Sequence, residues 1–452
     1  MSDLMEKIVS LSKRRGFIFP SSEIYGGLQG FWDFGPLGVE LKNNIKKSWW
    51  KKFVQERGDV VGLDSVIIMN PKVWEKSGHV KGFADKLLEC KKCHHRFRGE
   101  DISAVDGMGG GCPKCDSRDY EEEKEFNLMF DTYVGPVKDS ASVAYLRPET
   151  AQGIFVNFEN TVNSMRLKLP FGIAQIGKAF RNEITPGNFI FRSREFEQME
   201  LEYFVNPKED EKWFDYWVEQ SYQWFLDLGI KKENIKKRSQ AEKELAHYAK
   251  ATVDIEYKYP FSAQGGSASG GEKGWAELVG ISNRQDFDLK AHGIKYKDDV
   301  PQEEYIPYVI EPSFGVDRAA LTFLLDAYEE IKGGRTTTTK SIKEEEVVLH
   351  LHKDLAPYKV AVLPLSRKEN LIKVAKDVYK KMQTRFMAAY DEVASIGKRY
   401  RRQDEIGTPY CVTVDFDSLE DKAVTVRDRD TMKQERIKII DLVDFIRERL
   451  GL

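Results

Sequence analysis

Residues 171–205 read FGIAQIGKAFRNEITPGNFIFRSREFEQMELEYFV, and the reading of this stretch decides the fold. Its polar and apolar side chains alternate with a period of two, which predicts two strands around a turn at Pro186-Gly187. On the first strand Gln175, Gly177, Ala179, Arg181 and Glu183 share one face, while Ile176 and Phe180 point the other way. On the second, Arg194, Phe196, Gln198, Glu200 and Glu202 share one face, and Met199, Leu201, Tyr203 and Val205 share the opposite one. An exposed hairpin would also carry charge on one face. Here small residues sit beside the charges and leave space over the sheet, and a lone phenylalanine offers a flat surface for a ring. Arginines suited to phosphate and carboxylates suited to a cation then suggest a nucleotide and an amine held side by side.

FRNE (180–183) followed by FRSREFEQMELEYF (191–204) resembles motif 2 of class II aminoacyl-tRNA synthetases, in the form used by dimeric bacterial glycyl-tRNA synthetases. The resemblance implies an α+β fold, an antiparallel class II catalytic sheet flanked by helices. A cysteine-bearing, zinc-knuckle-like insert is expected as well, with a C-terminal α/β domain that resembles the anticodon-binding domain of several class II synthetases.

A chain of 452 residues can bury a large core and divide into two or three domains. Its composition, 41% hydrophobic and 32% charged, is ordinary for a soluble protein. No apolar run approaches the roughly 20 residues needed to span a bilayer. The N-terminal MSDLMEKIVSLSKRRG has no apolar core of a targeting segment, so a cytoplasmic location is expected, with no membrane contact. The net charge of −3 does not announce a nucleic-acid binder, so a tRNA would have to be met by local basic patches.

Four of the five cysteines fall as Cys90-x2-Cys93 and Cys112-x2-Cys115, with 18 residues between the pairs. That is the two-knuckle spacing of a closed four-thiolate zinc site, which would be structural; the alternative is a reduced, metal-free loop. His94 and His95 are spare, because four thiolates satisfy a tetrahedral ion. Cys411, in PYCVTVDF, reads as a buried strand residue.

Around these landmarks, residues 3 to 15 read as a short amphipathic helix. A second helix opens at Gly35-Pro36, with Leu37, Leu41, Ile45, Trp49 and Phe53 forming one apolar stripe. That stripe could pack on its own domain. GFWDFGPLGVELKNNI (30–45) resembles motif 1, however, and the resemblance implies a homodimer. The insert spans residues 86 to 120. Arg147 and Glu149 of RPETAQG stand before a helix beginning near Thr150, where a carboxylate could simply favour the helix dipole. Residues 208 to 250 read as strongly helical, part of a peripheral insertion over 206–260. The Gly/Ser-rich 262–274 and the Thr/Lys/Glu-rich 333–346 read as loops. YVIEPSFGVDRAALTFLLDAYEE (308–330) reads as a strand running into a helix and resembles motif 3.

Residues 1–350 are thus expected to form the catalytic domain and 351–452 the anticodon-binding domain. In the latter, strands at 360–365, 410–416 and 423–429 should alternate with helices at 368–389 and 440–450. SIGKRYRRQDEIGTPY (395–410) there is either a solvated turn or a surface for phosphates and bases.

The resemblance assigns roles residue by residue. Arg181, Glu183 and Arg318 would carry the chemistry. Asn182, Phe191, Arg192 and Arg194 would join them around ATP, with Phe196 under adenine. Glu277 and Leu278 would meet the nucleotide with Mg2+, and Gly315 would let backbone approach it. Glycine would be met by Arg98, Glu149, Phe196, Gln198, Glu200, Glu311, Ser313 and Gly315. The activity implied is glycine plus ATP to glycyl-adenylate, then transfer to the 3'-terminal adenosine of tRNA(Gly). A non-catalytic, nucleic-acid-binding relative could lose Arg181, Glu183 or Arg318 without unfolding, and all three are present. A synthetase for proline, threonine or serine is the other alternative; FEQMELEYF and EPSFG favour glycine.

Overall fold

The computed structural model describes residues 3–99, 111–139, 141–261, 274–298, 304–335 and 345–452. Most of the loops expected at 262–274 and 333–346, and the Gly-rich turn before Cys112, lie outside the described residues.

A seven-stranded sheet organises the first three quarters of the chain. Its strands are β1 (Val60–Gly62), β2 (Phe171–Phe180), β3 (Glu195–Val205), β4 (Ile235–Ser239), β5 (Ala251–Lys258), β6 (Trp275–Gln285) and β7 (Tyr308–Gly315). They lie in the order β4-β5-β6-β7-β3-β2-β1, antiparallel except for the β1–β2 edge. The alternation read in residues 195–205 holds. Met199, Leu201, Tyr203 and Val205 enter the main core, while Gln198, Glu200 and Glu202 line the opposite face.

Among the described residues, the longest helices of this body are α1 (Asp3–Arg15), α2 (Pro36–Trp50), α3 (Asp210–Asp227) and α4 (Val316–Ala327). Proline at the first turn of α2 occupies a position whose N–H would be unpaired anyway. The stripe Leu37, Leu41, Ile45, Trp49 and Phe53 is buried in its own chain's core, against Trp217, Trp224 and Phe314. It is therefore consumed in folding. Burial of each such side chain stabilises by about 1.5–3 kcal/mol.

Two expectations are corrected. The strands around Pro186-Gly187 do not meet in a tight turn: β2 ends at Phe180, β3 begins at Glu195, and Phe180 pairs with Glu195. Arg181 and Glu183 therefore lie beyond the strand, in a long connection. It folds inward because Phe189, Ile190 and Phe191 are buried, Phe189 against Trp32 and Phe191 against Tyr259 and Phe261. The stretch 208–250 is not wholly helical, nor is 206–260 peripheral. Only α3 is a long helix, and its Trp217, Trp224 and Phe225 sit in the main core. After it the chain returns as β4 and β5, whose residues extend the central sheet; aromatic and basic composition concealed the change of period.

The insert is a three-stranded sheet made by Ala84–Glu89, Arg96–Arg98 and Lys124–Asn127, so it reaches beyond 86–120 at both ends.

The C-terminal body has its own core. Its sheet comprises β8 (Val360–Pro364), β9 (Ala388–Tyr390), β10 (Tyr410–Val414), β11 (Ala423–Asp428) and β12 (Gln434–Lys438), in the order β9-β8-β10-β11-β12. α5 (Glu369–Gln383) and α6 (Leu442–Leu450) pack on it, and Cys411 is buried in β10 as expected. The basic stretch 395–410 is neither a simple turn nor wholly a surface. Ile396–Asp404 is helical, and the buried Arg399 donates to the carbonyls of Pro364 and Asp391.

Candidate active site

The open face of β3 and β7 forms the floor of a cleft of about 310 Å³. Arg98, Arg181, Glu183, Phe191, Arg192, Phe196, Gln198, Glu277, Leu278, Ser313, Gly315 and Arg318 all line it. Residues spread over more than 200 positions of sequence thus meet in one place.

Each wall residue is held by a local cause. Arg181 Nε donates to the carbonyl of Pro148 at 3.0 Å, and its guanidinium lies 5.4 Å from the ring centres of both Phe83 and Phe196. Arg318 follows the β7-to-α4 junction and donates to the carbonyls of Phe191 and Glu277, each at 3.2 Å. It also lies over the Phe191 ring at 4.6 Å. Glu277 Oε1 is 3.6 Å from Arg318, and Arg98 is clamped by Asp85 at 2.9 Å. The cleft is thus lined by the cations Arg181, Arg192 and Arg318 and by the ring of Phe196 on β3.

Beside it lies a largely buried acidic cluster around Glu200. Glu200 Oε1 accepts hydrogen bonds from Ser313 Oγ and Gln198 Nε2, both at 2.7 Å. Its other oxygen accepts from the backbone N–H of Thr150 at 3.0 Å and from the Thr150 hydroxyl. Burial, with Glu149 adding to it, raises the Glu200 carboxyl above its ordinary range. Burial pushes Glu149 upward too, yet His79, Arg284 and Gln152 outweigh it and hold that carboxyl well below the ordinary range. His79 Nε2 is 3.4 Å from Glu149, and Ser77 Oγ is 2.8 Å from His79 Nδ1. The carboxyls of Glu149 and Glu200 are therefore driven apart in acidity.

Three residues stand otherwise than expected. Arg194 does not reach the cleft: it holds the carbonyls of Glu183 and Gln29 and so shapes the connection after β2. The backbone N–H of Asn182 donates to Leu128 at 2.7 Å, and its side chain is absent from the cleft walls. Glu311 is taken by Arg284, which donates to both its oxygens at 2.9 and 3.0 Å.

His79, Thr150, Arg284 and Asp288 were missed in the sequence. Arg284 and Asp288 are four apart in NRQDFDL, a spacing that could have suggested their ion pair. His79 lies in a segment with no pattern to mark it.

In the insert, the Sγ atoms of Cys90, Cys93, Cys112 and Cys115 all lie within 4.8 Å of one another. The Cys90–Cys115 and Cys93–Cys112 pairs are each 3.6 Å apart. Tetrahedral thiolates at about 2.3 Å from zinc are separated by roughly 3.8 Å, so the donor set fits that ion.

Residues 136–328 match the tRNA synthetase class II core domain (G, H, P, S and T), and residues 359–449 match the anticodon binding domain. Fold, cleft and matches together define a class II aminoacyl-tRNA synthetase. The chain is 53% identical to the glycine–tRNA ligase of Geobacillus kaustophilus, with 100% of each chain covered. It is 53% identical to that of Clostridium acetobutylicum and 52% identical to that of Alkaliphilus oremlandii, covering 99% of this chain and 98% of each relative. It belongs to the glycine–tRNA ligase family.

Proposed function

We infer that this chain activates glycine with ATP and transfers it to tRNA(Gly). The observation that carries the reading is its similarity to glycine–tRNA ligases along essentially its whole length. The cleft geometry supports it by juxtaposing a slot suited to ATP and a pocket suited to an ammonium.

In the first step the carboxylate of glycine attacks the α-phosphorus in line, and negative charge grows on the phosphoryl oxygens as pyrophosphate leaves. The nucleophile is already ionised, so no side chain need move a proton. Positioning and charge stabilisation do the work. Arg181 meets the α-phosphate and Arg318 the γ-phosphate, with Arg192 as a second clamp. Phe196 stacks under adenine, whose edge is read by Glu183 and nearby backbone. Magnesium arriving with ATP would be held at Glu277 and would offset phosphate charge.

Glu149 and Glu200 with Ser313 surround the glycine ammonium, and Gln198 steadies Glu200. Selectivity is by exclusion: the same groups crowd the α-carbon, where even a methyl must displace a hydrogen-bonded partner. Discrimination of one methylene by apolar contact alone is worth only about 1–3 kcal/mol. The second step passes glycine to the terminal ribose of tRNA, whose anticodon end would be met by the domain beyond residue 351.

Zinc in the four-cysteine insert would be structural, because four thiolates leave no open position. A homodimer formed through the motif 1 region, and residence in the cytoplasm, complete the reading. No helix among the described residues is long and apolar enough to cross a membrane.

ATP–pyrophosphate exchange measured across amino acids tests the function. Exchange with glycine far above proline, threonine, serine and alanine is expected; exchange with none, or with another amino acid, defeats it. Sedimentation tests the dimer, which a fully active monomer at micromolar concentration would exclude.

A further inference from the structure

The amine pocket continues along β3 into a buried cluster whose charges do not balance. Glu202 lies two residues beyond Glu200, and both its carboxyl oxygens are buried without a hydrogen-bond partner among the described residues. The β3–β7 register pairs Glu200 with Ser313 and Tyr203 with Ile310, which carries Glu202 directly opposite Glu311. Side chains facing each other at such positions have Cβ atoms about 5 Å apart. Pro312, next to Glu311, has no N–H to give to the neighbouring strand.

Glu311 is committed to Arg284 from β6. The same guanidinium donates to both oxygens of Asp288, at 2.7 and 2.9 Å. One cation therefore pairs with two buried carboxyl groups, and Glu202 adds a third that receives no hydrogen bond from it. The other ionisable groups nearby do not correct the imbalance. Glu200 on the same strand is acidic, Glu149 is engaged by His79, and Tyr248 covers Arg284 with its ring at 3.9 Å. His292 hydrogen-bonds to Gln152, which in turn donates to Asp288. None of them donates to Glu202.

A buried carboxylate that accepts no hydrogen bond and faces a second carboxylate is the costliest state for this side chain; the neutral acid gives up far less hydration. Burial, then the Glu311 charge, pushes Glu202 well above the ordinary carboxyl range. Burial pushes Glu311 up as well, but Arg284 donates to both its oxygens and opposes that shift, so of the facing pair Glu202 is the one without a counter-charge.

We propose that Glu202 carries a proton at neutral pH, with and without glycine, and acts as a positioning residue for the amine pocket. Its neutral carboxyl leaves Arg284 to Asp288 and Glu311, and leaves Glu200 as the carboxylate that meets the substrate ammonium. The functional half of the proposal rests on the glycine-activating reading of the site.

Thermal unfolding of the full chain and of Glu202→Gln, followed against pH, tests the proton. The folded protein holds a proton that the unfolded chain releases above its ordinary value of 4.5. Stability of the parent relative to Glu202→Gln must then fall as pH rises from there toward the folded value. The expected result is a Tm difference favouring glutamine that widens as pH rises from the ordinary carboxyl range through neutrality. A difference that is constant with pH, or that widens toward acid, overturns the proposal. So does failure of Glu202→Gln to fold, since a neutral isostere should be accommodated. In glycine-dependent exchange, Glu202→Ala should raise glycine KM more than it lowers kcat, and Glu202→Gln should restore KM. Equal losses in both variants overturn the positioning role. Absence of glycine exchange in the parent chain defeats the proposed function instead, and leaves the Tm comparison standing.

Discussion

A Cβ on Gly177 would stand 2.2 Å from Nη2 of Arg147. The arginine that opens RPETAQG crosses the sheet at this point. Its Nε donates to the carbonyl of Lys178 at 2.7 Å and its Nη1 to that of Ser65 at 2.8 Å. Glycine is required because the guanidinium occupies the space of a side chain. The same segment ends at Gly153, where a Cβ would stand 2.0 Å from Ser65 Oγ. RPETAQG is thereby docked at both ends, and its backbone at Thr150 is brought to Glu200.

Gly177→Ala should therefore expel Arg147 from its carbonyl partners and loosen the segment that carries Glu149. A loss on the order of 2–4 kcal/mol is expected from overpacking together with unpaired buried carbonyls. Denaturant unfolding measures it; a change below about 0.5 kcal/mol would show that the guanidinium moves aside freely.

Arg181→Ala and Glu200→Ala should separate the two halves of the site. The first removes charge stabilisation at the α-phosphate, worth on the order of 3 kcal/mol, or about a hundredfold in the rate of adenylate formation. Glycine binding should be less disturbed. The second should weaken glycine use and reduce the penalty against alanine, because charge pairing and crowding decline together. Pre-steady-state adenylate formation with both amino acids distinguishes them. The assignment fails if Glu200→Ala leaves glycine affinity and discrimination unchanged.

Metal analysis of protein purified under reducing conditions should find one zinc per chain. Cys93→Ser together with Cys115→Ser should abolish it and unfold the insert, since three of the four thiolates or more sustain such a site. Arg98 is clamped to Asp85 on the insert's own sheet, so glycine-dependent exchange should decline as well. Zinc-free protein with full activity would refute the link.

A chain ending near residue 356 should keep glycine exchange and lose charging efficiency. The prediction has a structural condition, because the two bodies share contacts. Arg14 and Arg15 both pair with Glu405. Arg335 also reaches Asp404. Retained fold must first be verified by circular dichroism. Loss of exchange in a well-folded truncation would contradict the division of labour.

Much of this protein is written locally. The alternation in 195–205, the two Cys-x2-Cys pairs, Pro36 at a helix start and the strand-to-helix change at Gly315 are each settled by neighbours a few residues apart, and each appears in the structure as read. Periodicity and spacing carry such information because the backbone geometry that creates them is local. Phe196, Arg318 and the carboxyl pair Glu149 and Glu200 could be singled out as candidates for a second reason: they stand in motifs whose order along the chain is itself a signal.

Tertiary structure alone decided the rest. Arg194 and Arg192 are separated by one residue, yet Arg192 lines the cleft and Arg194 holds backbone carbonyls, one of them on residue 29. The apolar stripe of α2 offered two destinations, and packing against residues 217, 224 and 314 chose the chain's own core. Period-two alternation placed Glu202 on the same face as Glu200, but could not tell a solvated acid from a buried one without a partner. That distinction depends on Glu311, Arg284 and Asp288, which arrive from strands and a helix more than 80 residues away. Local sequence sets which way a side chain points; whether water, an opposite charge or another carboxylate awaits it is set by chain segments that only folding brings together.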